Sequence, residues 1–264
     1  MVEGRNIKNI GKPSIRRPIL SALLLLTLSI SAAAEEDTAR CLKLGANESV
    51  AEFHHLFTDL ITSVYERIGH CVVTIPLTPK RSEMMLSAGT LDAEWLRVEG
   101  YAERFHVDLI EVPIPLFVLE EVFLIPPGSD FNGTPEDLKG RIVGYPTGFR
   151  WIEKNLQTLG AIPKEVPSGV PVRELLNRGR FEAFAIDSVR AYQIMHSQDL
   201  KQSGKKPVFK QTTWEKARFF HMVHKRHKDK VPALKREIKK AMDAGEFDQL
   251  FALPGLSRAA NTED

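Results

Sequence analysis

Cysteine is scarce in this 264-residue sequence, which contains only Cys41 and Cys71. The two lie thirty positions apart, so they do not form the Cys-x-x-Cys motif of redox proteins and many zinc sites. The sequence also lacks a Gly-x-Ser-x-Gly elbow, a His-Glu-x-x-His pair and a Walker phosphate loop. These absences remove the sequence support for an α/β-hydrolase, a zinc protease or a P-loop nucleotidase.

Long apolar runs are also absent, apart from one near the start. Residues 19–30 form a 12-residue apolar segment, well short of the roughly 20 residues that span a bilayer. Five basic residues lie within the first 17 positions, and Ser-Ala-Ala-Ala at 31–34 offers a small-residue cleavage site. This order predicts a cleavable signal peptide over residues 1–34, with a membrane anchor as the alternative. We therefore expect a soluble mature protein in the periplasm of a Gram-negative type of cell.

The full sequence has a net charge of +2, but this small positive surplus comes from its first residues. The predicted signal peptide holds five of the 36 Lys and Arg residues and one of the 34 Asp and Glu residues. The mature chain therefore has 31 basic and 33 acidic residues, a net charge of −2. Nucleic-acid-binding proteins usually have a basic surplus, so we expect no nucleic-acid partner.

In an oxidising compartment, an isolated cysteine pair predicts a disulfide rather than a metal or redox site. We expect Cys41 and Cys71 to begin adjacent parallel strands joined by a helix, which brings them within bridging range. The three histidines within residues 221–227 do not converge, because the first two would point to opposite faces of a strand. We expect neither a metal site nor a cofactor.

Hydrophobic periodicity divides the mature chain into alternating strands and helices. Residues 49–69 have apolar side chains at three- and four-residue steps, which predicts a long amphipathic helix. This helix belongs to a first unit of the order strand, helix, strand, helix, strand, which runs to about residue 96. Residues 140–187 repeat that order. Two such βαβαβ units indicate two parallel sheets flanked by helices.

The two units also share a phrase. Leu-Ser-Ala-Gly-Thr-Leu-Asp-Ala at 86–93 is echoed by Leu-Asn-Arg-Gly-Arg-Phe-Glu-Ala at 176–183. In each, we expect the glycine to end a helix in the left-handed conformation before the next strand begins. Asp92 and Glu182 follow as polar turn residues with a local role. The echo thus indicates repeated architecture rather than chemistry.

Two apolar segments, 112–129 and 217–225, are predicted to cross between the units, and a helix within 229–251 to return to the first. The sequence therefore predicts an α/β fold of two lobes, each a mostly parallel sheet flanked by helices, joined by a two-strand hinge. The predicted lobes comprise residues 40–121 with 226–264 and residues 122–225.

Four phrases in a fixed order resemble a known family: LxxGxLD, EDLKGRIVGYxxG at 136–148, ELLxxGRxxAxxxD at 174–187 and AMxxGEF at 241–247. Together they are similar to the bacterial extracellular solute-binding proteins of family 3, periplasmic type II binding proteins for amino acids and similar solutes. The resemblance implies two lobes that close over a small-molecule ligand. It also implies an ABC-type permease or a membrane sensor as partner, and a monomer. The family's aromatic-proline phrase after the first strand is missing here, which marks a divergent member.

Six residues at or just after the ends of predicted strands are candidate ligand contacts: Arg97, Thr147, Gly148, Asp187, Asn47 and Glu48. Arg97 occupies the place where the family has its carboxylate-binding arginine, and an ordinary surface arginine is the alternative. Amides at Thr147 and Gly148 would favour a carboxylate, and plain helix capping is the alternative. By the same resemblance Asp187 would hold an amino group, with an N-cap as the alternative.

These features predict a periplasmic protein that is not an enzyme and that captures a small polar ligand, amino-acid-like or a carboxylate, for transport or sensing. Two alternatives remain open. One is a dehydratase-like periplasmic enzyme on the same fold. The other is a degenerate member of the family that serves as a protein-interaction module.

Overall fold

The computed structural model describes residues 41–47, 51–196 and 209–259. The predicted signal peptide and Glu48 lie outside these ranges, as does the side chain of Asn47. The described residues from Leu42 onward belong to one compact unit. In the described ranges no helix combines the length and the apolar character needed to cross a membrane.

Ten strands in the described residues join one sheet. Their bounds are β1 Leu42–Asn47, β2 Val72–Leu77, β3 Ala93–Val98, β4 Leu109–Glu111, β5 Phe117–Ile125, β6 Ile142–Pro146, β7 Ile162–Val166, β8 Ala183–Asp187, β9 Lys210–His224 and β10 Leu256–Ser257.

Seven α-helices cover the faces of the sheet within the same ranges. Their bounds are α1 Ala51–Arg67, α2 Pro79–Ser87, α3 Tyr101–Phe105, α4 Arg150–Thr158, α5 Val172–Asn177, α6 Ser188–His196 and α7 Val231–Asp243. Short 3₁₀ turns occupy Pro135–Leu138, Lys225–Lys230 and Asp248–Ala252.

The main strand order is β2-β1-β3-β9-β5-β8-β6-β7. The outer triplets β2-β1-β3 and β8-β6-β7 are parallel, whereas β9 and β5 run antiparallel to each other and to their neighbours. This arrangement confirms the predicted α/β fold, with two parallel βαβαβ units joined by two long strands. The strand predicted over 217–225 begins earlier, at Lys210, because a polar stretch pairs with the apolar strand β5. The predicted lobe boundaries at 121/122 and 225/226 stay a prediction.

The shared phrase marks the same turn in both units. Gly89 and Gly179 have φ angles of 67° and 64°, a conformation that glycine adopts without a Cβ clash. Leu86 and Leu176, which open the two phrases, are buried. The predicted left-handed helix ends are confirmed.

Asp92 and Glu182 do more than the local turn role predicted for them. Asp92 Oδ2 accepts a hydrogen bond from the backbone N–H of Lys43 at 2.8 Å, and Glu182 Oε1 accepts one from the N–H of Ile142 at 3.3 Å. Each acid thus ties the start of its own strand to the start of the neighbouring parallel strand. The prediction was wrong because parallel strands place distant residues side by side at one edge of a sheet.

The first βαβαβ unit has its core between helices α1 and α7 and the sheet. Phe57, Ile61, Trp95, Leu234 and Ile238 are almost fully buried in one cluster. Burying side chains of this size contributes roughly 1.5–3 kcal/mol each. The cluster confirms that the C-terminal helix returns to the first unit.

Both cysteines are disulfide-bonded, which confirms the predicted bridge between Cys41 and Cys71. They directly precede β1 and β2, whose first paired residues are Leu42 and Val72. The N–H of Leu42 also donates to the carbonyl of Cys71 at 3.0 Å. The parallel register therefore brings the two cysteines together.

Candidate functional site

One cavity, of about 110 Å³, has residues of both βαβαβ units and of both connecting strands in its wall and is hereafter called the main cavity. It lies where β3, β6 and β8 end and β5 begins. The volume is several times the roughly 10–15 Å³ that one water needs, so a small organic molecule fits. Ligands of parallel α/β sheets bind outside the carboxyl ends of the strands. The topology therefore places the cavity where a ligand site is expected.

Aromatic side chains make up much of the cavity wall. Residues from both βαβαβ units and from β5 and β9 contribute: Phe53, Trp95, Tyr101, Phe117, Phe149, Trp151 and Phe219. The rings of Phe117 and Phe219 stack across β5 and β9 with centroids 5.6 Å apart. Such a wall is typical of small-molecule sites, in which a few polar groups fix the orientation of the ligand.

Arg97, the predicted carboxylate ligand, lines the cavity and is only 8% exposed. Its guanidinium donates to Glu94 Oε1 at 2.8 Å and lies 4.9 Å from the centre of the Tyr101 ring. Residues three apart on a regular strand point to opposite faces. Here the β3–β9 register shifts between Glu94 and Arg97, and this bulge brings the two side chains to one side.

Glu94 is itself buried at 2% exposure. Burial raises the pKa of Glu94 to about 7, although the charge of Arg97 beside it favours the ionised form. One guanidinium nitrogen of Arg97 is thus committed to Glu94, while Arg97 Nε is buried without a hydrogen-bond partner among the described residues.

Asp187, the predicted amino-group ligand, ends β8 and also lines the cavity. Its Oδ1 accepts from the backbone N–H of Arg190 at 2.9 Å, and its Oδ2 accepts from the guanidinium of the same residue. Asp187 therefore caps α6, the alternative role that its position allowed. The Arg190 guanidinium in turn lies 4.8 Å from the centre of the Phe149 ring.

Glu121 is a cavity residue that the sequence analysis did not select. It is 3% exposed and lies opposite Asp187 in the β5–β8 register. Its Oε2 is buried without a hydrogen-bond partner in the described part of the chain. Burial and, after it, the negative charge of Asp187 raise the pKa of Glu121 well above its usual range.

A sequence signal for Glu121 existed. Phe117, Leu119, Glu121 and Phe123 alternate along β5 and are all buried, as the period of a strand requires. An acid at an inward position of an apolar strand is unusual and indicates function or pairing. The prediction for segment 112–129, a crossing strand, does not use this signal.

The amides of Thr147 and Gly148 were predicted to bind a carboxylate. In the structure, Thr147 N–H donates to the carbonyl of Val166 at 3.0 Å, and Gly148 N–H donates to Glu165 Oε1 at 3.0 Å. Gly148 lines the main cavity, whereas Thr147 lines an adjoining one of about 160 Å³. Both amides already have protein acceptors, so the structure does not bring them together with Arg97 as free donors.

One polar contact joins helix α2 of the first unit to helix α4 of the second beside the cavity. Arg150 donates to Glu83 Oε2 at 2.8 Å, and its guanidinium lies 4.4 Å from the centre of the Phe105 ring. Tyr101, a cavity residue, donates its hydroxyl hydrogen to the other oxygen of Glu83. This contact, hereafter the Glu83–Arg150 latch, links the two units in the conformation observed.

The described residues contain no group of three or more His, Cys, Asp and Glu side chains arranged to hold a metal ion. His221 is fully buried, with its Nε2 2.8 Å from the hydroxyl of Tyr65. Burial lowers the pKa of His221 to about 4, so this histidine is a neutral core residue.

No protein-family model matches the sequence, and no curated protein matches it either. Solved structures match in fold. The ligand-binding core of GluR0 in complex with L-glutamate is 13% identical, with a TM-score of 0.64 over 80% of this chain and 96% of that one. An ancestral arginine-binding protein bound to glutamine is 19% identical, with a TM-score of 0.62 over 82% and 98%.

An ABC uptake transporter substrate-binding protein from Streptococcus pneumoniae with bound histidine is 17% identical. Its TM-score is 0.62 over 82% of this chain and 93% of that one. Nearly the full length of each neighbour is covered, so the likeness extends to both βαβαβ units. The chain therefore has the two-lobed fold of periplasmic binding proteins.

Proposed function

We propose that this protein is a periplasmic solute-binding protein that holds a small polar ligand, amino-acid-like or a carboxylate, in the main cavity. One observation carries the proposal. Several polar side-chain atoms are buried without hydrogen-bond partners among the described residues, and three of them belong to residues that line this cavity. These three are Trp95 Nε1, Arg97 Nε and Glu121 Oε2.

The chemistry of these atoms specifies the kind of ligand. An indole N–H and a guanidinium N–H are donors, whereas a carboxylate oxygen is an acceptor. A buried polar group without a partner costs about 1–3 kcal/mol, and a ligand that supplies the partner recovers that cost. Both donors are on β3 and the acceptor is on β5, so a ligand with an acceptor at one end and a donor at the other complements them.

The fold supports the same function. The neighbours described above are solved with glutamate, glutamine and histidine, all small zwitterions. The arrangement of two units joined by β5 and β9 suits hinge closure over a ligand. An ABC-type permease or a membrane sensor is the partner that such a protein would serve, and we expect a monomer.

Native mass spectrometry of protein isolated from the periplasm tests this proposal, because it detects a retained ligand. Calorimetry with the twenty L-amino acids and small carboxylic acids then measures affinity. We expect Arg97→Ala to weaken binding by roughly 2–5 kcal/mol, the scale for removing one partner of a buried charge pair. Retained affinity in Arg97→Ala, or no ligand in either experiment, would contradict the proposal.

A further inference from the structure

The carboxyl group of Glu121 lies on the strand that joins the two units. The β5–β9 register shifts between Glu121 and Val122, where Trp214 is the extra residue of β9. Bulges of this kind are frequent beside active sites. Glu121 itself keeps the regular alternation of β5 and lies in the cavity wall, on a strand that joins both units.

No described side chain supplies Glu121 Oε2 with a hydrogen. Arg190 is the cationic neighbour that favours its ionised form, but the guanidinium of Arg190 is hydrogen-bonded to Asp187. The other charged groups that face Glu121 are Asp187 on β8 and Glu215 on β9, and both are acids. Glu121 is consequently surrounded by other acids, and one of its carboxyl oxygens is available to accept a hydrogen bond from a ligand.

Asp187 differs in this respect. Both of its oxygens accept hydrogen bonds from Arg190, so a ligand would have to displace a protein donor to reach it. Glu121 needs no displacement. Of the two buried acids that line the cavity, Glu121 is the one available to a ligand cation.

We propose that Glu121, rather than Asp187, binds the ammonium group of the ligand and so selects ligands that carry one. The inference rests on the proposed function and deepens it. Aromatic rings also line this cavity, Phe117 among them, and the faces of aromatic rings attract cations.

Proton release accompanies this mode of binding. Because burial and Asp187 raise the pKa of Glu121, the ligand-free protein holds a proton on this group up to a higher pH than an ordinary glutamate does. An ammonium group favours the ionised form. Binding therefore drives the proton from Glu121 into solution.

The experiment compares Glu121→Gln with the parent protein and with a matched control, Glu215→Gln. Glu215 pairs with Glu121 in the register of β5 and β9 but is exposed. The probes are the twenty L-amino acids, each paired with the acid that lacks only its α-amino group. Thermal shift identifies the binders, and calorimetry measures their dissociation constants.

We expect the parent and Glu215→Gln to bind at least one amino acid at least tenfold more tightly than its deaminated partner. Glu121→Gln should lose that preference and have a higher melting temperature without ligand. Equal affinity of the parent for both members of each pair, or an unchanged preference in Glu121→Gln, overturns the assignment while leaving the proposed function standing. No binding of any probe to the parent contradicts the proposed function itself.

A second measurement needs no variant and covers the case in which Glu121→Gln fails to fold. Calorimetry of an amino acid binding to the parent, in buffers of different ionisation enthalpy between about pH 5 and 8, reports proton release. We expect release that falls as the pH rises through the pKa of Glu121. The absence of release across this range would overturn the assignment.

Discussion

The two βαβαβ units are alike at the amino ends of their third strands and different at the carboxyl ends. At the amino ends, Asp92 and Glu182 each accept hydrogen bonds from a backbone N–H near the start of a neighbouring strand and from a nearby arginine. At the carboxyl ends, β3 has the ion pair of Arg97 with Glu94 within one strand. β8 instead has Asp187 paired with an arginine of the following helix.

The comparison separates architecture from chemistry. The shared phrase covers the amino end of each third strand, where the same tie between parallel strands is needed twice. The carboxyl ends face the cavity, and their charged side chains differ in sign. β3 has an arginine there, whereas β8 has an acid. Repetition thus identifies the scaffold, and departure from repetition identifies the residues of the proposed ligand site.

The largest expected loss of stability comes from breaking the ion pair of Arg97 with Glu94 on β3. Arg97→Ala leaves the buried carboxyl of Glu94 without its cation, and breaking such a pair costs about 3–5 kcal/mol. Arg190→Ala should destabilise the protein less, because Asp187 still accepts a hydrogen bond from the backbone N–H of residue 190. Urea unfolding measures both.

The loss in Arg97→Ala should depend on pH. Glu94 has a folded pKa of about 7, above its unfolded value, and removing Arg97 raises it further. Near pH 5 the carboxyl takes up a proton and needs no cation, so the destabilisation should be smaller there than at pH 8. An equal loss at both pH values would show that Glu94 is not the affected group.

The next effect concerns the disulfide, which only the first unit has. Replacing Cys41 and Cys71 together by serine opens a loop of 31 residues and should destabilise the protein by roughly 3–4 kcal/mol on the chain-entropy account. Differential scanning calorimetry checks the change. Thiol titration of the unfolded, non-reduced parent should find no free thiol, and two free thiols would disprove the bridge.

A smaller loss of stability is expected from replacing Asp92 or Glu182, the two acids that join neighbouring parallel strands. Burial favours the neutral form of Asp92, but hydrogen bonds from Lys43 N–H, Arg226 and His227 outweigh it and lower its pKa. Asp92→Asn should cost about 2 kcal/mol near pH 7, since hydrogen bonds to charged groups contribute about 1.5–3 kcal/mol. Glu182→Gln should cost about 1 kcal/mol, because the Glu182 side chain is 40% exposed.

The sign of the pH dependence sharpens this test. An acid with a lowered folded pKa stabilises the protein above its unfolded pKa, about 3.9 for aspartate, and loses that contribution as the pH falls through the folded value. The stability gap between the parent and Asp92→Asn should therefore close below about pH 4. A gap that persists at pH 2 would point to a steric effect of the substitution.

The smallest effect should come from the Glu83–Arg150 latch. Arg150 is 43% exposed, and pairs of this kind contribute about 0.2–1 kcal/mol. Arg150→Ala should weaken ligand binding up to fivefold by disfavouring the joined conformation, and small-angle scattering should show a larger radius of gyration without ligand. Arg178→Ala, which removes an exposed pair between Glu174 of α5 and the residue directly after that helix, is the control and should change neither quantity.

Much of the fold could be predicted from the sequence. Helices α1 and α7 have apolar stripes at helical spacing, and the left-handed glycines Gly89 and Gly179 end α2 and α5 where the shared phrase placed them. The disulfide followed from the compartment and from parallel pairing. These features depend on local patterns, which sequence periodicity reports directly.

The site was less predictable from the sequence, because its chemistry depends on which charged side chains form ion pairs with each other in the fold. Arg97 and Asp187 do line the cavity. The sequence could not show, however, that Arg97 is paired with Glu94 and Asp187 with Arg190. The pairing of Glu94 with Arg97 requires a bulge in β3, and a bulge has no reliable signature in a single sequence. Glu121 was readable from the alternation along β5, since one acid interrupts an apolar face.

The location of Glu121 on a connecting strand has a mechanical consequence. When one body turns against another, a point moves in proportion to its distance from the axis of rotation. Glu121 lies on β5, the strand that with β9 joins the two units, so its lever arm is short. Arg97 lies on β3 and Arg190 on α6, within the two units themselves. If the units close over the ligand as proposed, Glu121 keeps its contact with the ligand during closure, whereas the residues of the units reach the ligand only as the units come together.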